Sequence, residues 1–454
     1  MVRDPVRRSK ATAIGVAVIL AVAACSNPST SGAPAPSASG GAVVPSGGAA
    51  SPGASGAVGG SLSLWTAWGG KELETFQKVL QPFTDQTGVE VKITTVRDAA
   101  QLAINVEAGT TLPDIAGAPT ADKIPEWAQK GTMKALEDYL TDFSKYTDET
   151  LPGLVNGGTE VGVVDGKHYL MFVKTQIKNL FWYNAKVFTG TPPKTWDDML
   201  KVTVPSGAKL FCAGIESGAD SGWPATDNIE GILMRQSGDK VYNDWWAGKQ
   251  KWSSPEVKKA FETYGQIVSE KNVYGGPNSV LTTAFQRAGK PLFADPPGCV
   301  LYDQATFIPN FFLEDYPNLK PVDDFNFVEP PSYNSQFDGL QEFFFDNFVM
   351  YNDTPQSRAL MNYLWTADAQ QIFVDAGGTL AANKNITKFP DPVFQHASEV
   401  VKAADKLLVD GSDNMPAEMR SEFYKGIQNF VKDQSQLDSI LADLDEIQAG
   451  AYTQ

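Results

Sequence analysis

Cysteine and histidine are scarce in this chain, with three Cys and two His (His168 and His396) among 454 residues. Neither type clusters with metal-ligand spacing, which argues against a zinc or other soft-metal site. A phosphate-binding loop, a dinucleotide fingerprint, a nucleophile elbow and a zinc-helix motif are also missing. No cofactor is therefore expected, and no catalytic residue is assigned. Paired carboxylates for glycoside hydrolysis stay open, because spacing in sequence does not give spacing in space. Basic residues are outnumbered, 37 against 53, for a formal charge of −16. That balance disfavours nucleic acid and anionic lipid as partners, and polyanionic solutes less strongly. No solenoid-type repeat is visible. No stretch after Ala24 is long and apolar enough to be a transmembrane helix.

What the N-terminus does hold is a basic start, Arg3, Arg7, Arg8 and Lys10, followed by the apolar run Ala11–Ala24. That run is too short for a permanent span, so residues 1–24 read as a signal peptide. Its end, Val22-Ala23-Ala24-Cys25, resembles a bacterial lipobox, in which the leader is cut before Cys and the thiol receives a lipid. A secreted protein with a chance Cys near the cut site is the alternative. Residues 26–60 carry no charged side chain and are mostly Gly, Ala, Ser and Pro, a composition that makes a solvated tether. Its reach as a flexible coil is about 30–35 Å. The expected location is extracytoplasmic, on the outer face of the bacterial cytoplasmic membrane, held through lipidated Cys25. Loss of the leader, with its net charge of +3, would take the chain from −16 to −19.

With Cys25 lipidated, Cys212 and Cys299 are left in an oxidising compartment, where a disulfide or two buried free thiols would both be consistent. A bridge closing a loop of about 90 residues would stabilise the fold by about 4 kcal/mol in the chain-entropy model.

About 390 residues follow the tether, enough for two domains. Ser61–Trp65 alternates as a strand, and Leu73, Phe76, Val79, Leu80 and Phe83 recur at helical spacing up to Gly88. A second strand is read at Val89, Val91 and Ile93, a helix over about Ala99–Ala108, and a third strand at Asp114–Gly117. This order predicts parallel βαβ units, with ligands held by the loops after the strand carboxyl ends. Trp65–Lys71 and Gly117–Ala121 should then line one wall of a site. His168–Val173 and Asn179–Tyr183 are read as β-rich, with Lys174–Lys178 as a crossover into a second lobe. Further helices are expected from Trp196 behind a Thr195 cap, from Pro255, from Pro355 to Gly377, and over most of the chain after Asp391.

The densest polar and aromatic constellation is Phe211–Pro224, where a strand delivers Glu216 into a Gly-rich loop ahead of Trp223. Carboxylate, hydroxyl (Ser217) and indole on one loop suit a sugar. The carboxylate accepts bonds from vicinal hydroxyls, and an aromatic face packs on the C–H side of the ring. The bland alternative is a turn with an incidental Glu. A second cluster, Phe293–Cys299 with Tyr302, Asp303 and Gln304, reads equally as structural or ligand-binding. Trp65 and Trp68 end a strand, one as core and the other as a stacking platform. Of Trp245, Trp246 and Trp252 at least one is expected in the core. Asp410-Gly-Ser-Asp413-Asn414 lacks calcium-loop spacing and is read as a turn.

Several ordered segments resemble the family 1 extracellular solute-binding proteins of bacterial ABC sugar importers, most of all the alpha-glucoside and maltose-type members. They are Asp114–Pro119, Phe181–Asn184, Pro193–Asp198, Ile215–Gly218 with Gly222–Pro224, Pro296–Cys299 and Gly378–Lys384. The resemblance implies an α/β, two-lobe periplasmic-binding-protein-like (type II) fold with the ligand in a cleft between lobes. By analogy lobe one is 61–174 plus 331–372, and lobe two 175–330 plus 373–454. Glu216 matches a ligand carboxylate of sugar-binding members, and Ala118, Pro119 and Thr120 match a cleft segment. Lys174 falls where a maltose binder has an acid. The implied partners are a sugar and the permease subunits, for a monomeric, non-enzymatic protein. The expected binding residues are Glu216, Ser217, Trp223, Trp68, Trp65, Thr120 and Gln304. A polyol, peptide or other polar solute is the alternative ligand, and a tethered glycoside hydrolase the alternative class.

Overall fold

The computed structural model describes residues 58–96, 104–105, 108, 110, 112–117, 123–155, 161–377 and 379–452. Cys25, Thr120 and most of the expected Ala99–Ala108 helix lie outside them. Among the described residues no helix is long and apolar enough to cross a membrane.

The strands, in chain order, are β1 (Ser61–Thr66), β2 (Glu90–Thr95), β3 (Ile115–Gly117), β4 (Val163–Val164), β5 (Lys167–His168), β6 (Met171–Ile177), β7 (Leu180–Asn184), β8 (Lys209–Cys212), β9 (Cys299–Gln304), β10 (Phe325–Val328), β11 (Leu340–Met350), β12 (Leu380–Ala381) and β13 (Lys406–Val409). They form a seven-stranded sheet, β12-β6-β11-β3-β1-β2 with β13 also on β11, and a four-stranded sheet, β10-β7-β9-β8; β4 and β5 make a small hairpin. The expected parallel start is present, with β1 pairing β2 and β3 in parallel. Its helix, Gly70–Thr87, buries Phe76, Val79, Leu80 and Phe83 and ends on left-handed Gly88. In the second sheet β8 runs parallel to β9 and β7 antiparallel. Phe181 and Leu301 look from this sheet into one core, packed by the helices Trp223–Ser237, Pro255–Ile267, Ala417–Lys432 and Leu437–Ala451. Their neighbours Leu180, Trp182 and Tyr302 face the other core, as strand alternation requires.

Two expectations are corrected. Residues 174–177 are the second half of β6, so the crossing between sheets is only Lys178–Asn179. All seven β6 residues are buried, because β11 and β12 flank the strand and its polar side chains are paired. Thr175 Oγ1, for example, donates to the Phe344 carbonyl, and Gln176 Nε2 to Thr379 Oγ1. The stretch expected as one helix from Pro355 is two, Pro355–Leu364 and Ala367–Asp375. Thr366 separates them by capping the second, its side chain accepting from the Ala369 N–H. The Thr195 cap is present, with Oγ1 accepting from the Asp198 N–H.

The crossing itself is tight. Asn179 takes a left-handed backbone (φ 63°). A Cβ at Gly231 would lie 2.2 Å from the Asn179 side chain, so glycine lets the helix Trp223–Ser237 pass this close.

Candidate ligand-binding site

The Glu216 loop begins where β8 ends, and the segment around Phe307 begins where parallel β9 ends. Both therefore leave carboxyl ends of parallel strands, the place where open α/β sheets hold ligands. Cys212 and Cys299 are joined by a disulfide between these two strands, 87 residues apart in sequence and 5.5 Å apart at Cα. Beyond it the chain runs against residues 280–285: the Ile215 N–H donates to the Val280 carbonyl, Glu216 N–H to Thr283 and Phe285 N–H to Glu216. Gly214 permits this, since a Cβ there would sit 2.6 Å from the Thr283 carbonyl oxygen.

The loop then closes on itself. Glu216 is half-buried, and its Oε1 accepts from the Gly218 N–H at 2.8 Å, which orients the carboxylate. Ser217 N–H donates to Ser221 Oγ, and Ser221 Oγ to the Gly218 carbonyl. Gly222 has φ 120° and a Cβ there would meet Tyr424 at 3.0 Å, so the helix can open directly at Trp223. Trp223 Nε1 donates to Ser217 Oγ at 3.0 Å, fixing the indole beside the carboxylate loop.

An aromatic group that sequence reasoning missed completes this wall. Trp223 meets Phe285 edge to face at 4.7 Å between centroids, and Phe307 lies 6.1 Å away. Phe311 packs on both phenylalanines. All four rings are half-buried. The signal was present: the carboxyl-end rule applied to Cys299–Gln304 points to Phe307, with Phe311 one helical turn on.

Other expected site residues lie elsewhere. Trp68 is only 6% exposed. It packs edge-on with Phe76, Phe348 and Phe373, donates Nε1 to Asp346 Oδ1 at 3.1 Å, and carries Lys174 Nζ 4.2 Å over its ring. It is thus a floor under Lys174, and the open-platform expectation is replaced for it. Gln304 is buried, with Oε1 accepting from the Ala305 N–H and Nε2 at 3.5 Å from Tyr302 Oη, so its amide is already engaged. Tyr302 in turn donates to the Phe285 carbonyl at 2.8 Å, and burial raises its pKa above the tyrosine norm. Trp65 is half-buried at the carboxyl end of β1. Trp245 and Trp252 are core, whereas Trp246 is half-buried with Nε1 on Asn243. Asp303, buried with Oδ1 unpartnered, is held well above the carboxylate range by burial.

Two lobes built on two sheets, joined by short crossings, with an oriented carboxylate and an aromatic wall at strand carboxyl ends, define a binding-protein architecture. Residues 78–403 match the family model described as bacterial extracellular solute-binding protein, and the chain belongs to that family. It is 30% identical over 374 residues to the osmoprotective compounds-binding protein GgtB of Synechocystis sp., covering 80% of this chain and 86% of that protein. To the alpha-glucosides-binding periplasmic protein AglE of Rhizobium meliloti it is 29% identical over 397 residues, covering 83% and 85%. Among solved structures, a chitin oligosaccharide binding protein superposes with a TM-score of 0.73 at 17% identity, covering 87% of this chain and 99% of that one. The cyclic alpha-maltosyl-1,6-maltose binding protein of Arthrobacter globiformis gives 0.63 at 17%, with coverages of 86% and 98%.

Proposed function

We propose that this protein captures a sugar, an alpha-glucoside or other oligosaccharide, in the cleft between its lobes and delivers it to an ABC permease. The observation that carries this reading is the half-buried Glu216 carboxylate held beside the Trp223–Phe285–Phe307–Phe311 wall. Glu216 accepts bonds from vicinal hydroxyls, Ser217 adds a hydroxyl, and the aromatic wall takes the apolar face of the sugar ring. Trp65, half-buried at the carboxyl end of β1, is the proposed contact from the other lobe, and Thr120, outside the described residues, stays an expected one. Contacts from both lobes favour the closed state, which the permease recognises. Lobe one is built on the seven-stranded sheet, which takes in residues 175–177, β12 and β13 beyond the expected 61–174 plus 331–372, and lobe two on the four-stranded sheet with its helices. The protein acts as a monomer, without turnover, tethered to the membrane by lipidated Cys25.

A thermal-shift screen of the full chain against mono- to tetrasaccharides, polyols and short peptides tests this, with free sugar quantified before and after. A true ligand at one hundred times its Kd should add about 2.7 kcal/mol of stability. A shift with one sugar class and no sugar consumed supports capture, and sugar consumption would make the protein an enzyme. A polyol-only response would favour the second reading, small osmoprotective solutes, which the likeness to GgtB supports.

A further inference from the structure

Away from the sugar wall, the junction of the two lobes buries more acid than it can neutralise. Lys178, in the crossing from β6 to β7, meets Asp227 Oδ1 at 3.0 Å and contacts Asp410 Oδ2. Asp227 and Glu230 belong to the helix Trp223–Ser237, Glu342 to the start of β11, and Asp410 to the turn after β13. Oxygens of Asp227, Glu342 and Asp410 lie within 4.8 Å of one another. Glu342 is 0% exposed and neither of its carboxylate oxygens has a hydrogen-bond partner. Asp227 Oδ2 and Glu230 Oε1 are likewise unpartnered.

We propose that this junction is a proton-binding site: Glu342 holds a proton in the resting protein, and its loss loosens the joint so that lobe opening follows the acidity of the medium. An ionised carboxylate with no hydrogen-bond donor and three acids around it carries a desolvation cost that one lysine, already shared with Asp227 and Asp410, does not offset. A divalent cation is the other way to neutralise such a group, but the Lys178 ammonium already lies against two of the three carboxylates. The groups facing Glu342 are Lys178 from the crossing, Asp227, Glu230 and Arg235 from the helix Trp223–Ser237, Tyr242 from Asp239–Trp246, and Asp410 beyond β13, on which Asp413 acts in turn. Burial and then Glu230 push the Glu342 carboxyl well above its usual range, against the pull of Lys178. Burial outweighs Lys178 at Asp227, pushed up to about 7, whereas contact with Lys178 holds Asp410 below its usual value despite burial. The location ties protonation to shape. Lys178 lies in the passage from β6 to β7, Glu342 just inside β11 where the passage from β10 ends, and Asp410 where the chain leaves β13 for the helix Ala417–Lys432. Gln341 Nε2 donates to the Lys178 carbonyl while Arg235 Nη2 donates to Gln341.

The test needs no sugar and so stands apart from the ligand assignment. An acid whose folded pKa exceeds its unfolded value binds more protons when folded. Its contribution to stability is therefore present at low pH and lost as pH rises towards the folded pKa. Between about pH 5 and about pH 9 the unfolding equilibrium of the full chain should shift towards unfolding as pH rises, about tenfold per pH unit for each such proton. Glu342→Gln should lower that slope by one proton. The small-angle scattering radius should grow from acid to alkaline pH in the wild type and stay constant in the variant. Should the variant not fold, the infrared band of a protonated buried carboxyl at neutral pH, read in an Asp303→Asn background because burial raises that carboxyl too, reports the proton at the joint. An unchanged slope in Glu342→Gln, or no such band, overturns the proton. A radius independent of pH overturns the coupling, and stabilisation of the wild type by millimolar calcium at alkaline pH would make the site a cation site instead.

Discussion

Lys174 and Lys178 lie four residues apart on one run of chain, each 4% exposed, and they accommodate a buried charge in different ways. Lys174 reaches outward between Glu72 and Asp346, 3.3 Å from each, with side-chain exposures of 56% and 24%. Water still screens those carboxylates, and the rings of Trp68 and, farther off, Phe373 take the ammonium from below. Lys178 is enclosed with Asp227 and Asp410, whose side chains are 6% and 3% exposed. There burial disfavours the charge, but Asp227 and Asp410 outweigh it and hold the ammonium well above the usual lysine range. One lysine is part of a wetted wall near a strand end, and the other is a rivet in the joint.

That contrast is broken most severely by Lys178→Met. Removing one member of a buried pair leaves the other charges uncompensated, at a cost of about 3–5 kcal/mol. Urea unfolding should show it, and a loss below about 1 kcal/mol would mean the carboxylates around it are already neutral. Adding Asp410→Asn to that variant should recover part of the loss, because the two sites share one interaction.

Glu216→Ala should act on the other region alone. Loss of hydrogen bonds to a charged acceptor corresponds to about 1.5–3 kcal/mol of binding, tenfold or more in Kd. Its half-exposed loop position should keep the stability change within about 0.5 kcal/mol. Calorimetry with the sugar found by the screen reads both; unchanged affinity would remove Glu216 from the site.

Legibility followed the same divide. The opening strands, the Thr195 cap and the Glu216 loop all rest on local patterns, such as alternation, capping chemistry or residue type, whereas the 212–299 disulfide joins residues 87 apart and stayed open between a bridge and two free thiols. The joint depends on distant segments. Lys178, Glu342 and Asp410 are far apart in sequence, and Asp410-Gly-Ser-Asp413-Asn414 read as a turn because its spacing says nothing of Lys178. It is a turn, but a buried one: Asp410 Oδ1 accepts from Ser412 Oγ and the Asp413 N–H while its Oδ2 faces the lysine. Residues 174–177 looked like a polar crossover for a related reason. A central strand with both faces covered needs no alternation when its Lys, Thr and Gln find partners. Which of Trp65 and Trp68 is core was not legible, because a tryptophan at a strand end gives no hint that Asp346 waits for its N–H.

Lys174→Met should be milder than its neighbour's substitution. The methionine keeps the stem packed on Trp68 and loses a cation–π contact and two screened ion pairs, about 1–2 kcal/mol in all. The smallest effect belongs to Glu72→Gln. Glu72 sits in the first turn of the helix Gly70–Thr87, with its side chain 56% exposed. An exposed pair gains little Coulomb energy and loses side-chain entropy on forming, so the change in stability should fall between about 0 and 1 kcal/mol. It should also shrink as salt is added, since the pair lies at the protein–water boundary. Lys174 would keep Asp346 and the ring beneath it, so the ammonium stays compensated. A loss above about 2 kcal/mol, insensitive to salt, would place Glu72 in a closed environment and make the two lysines alike.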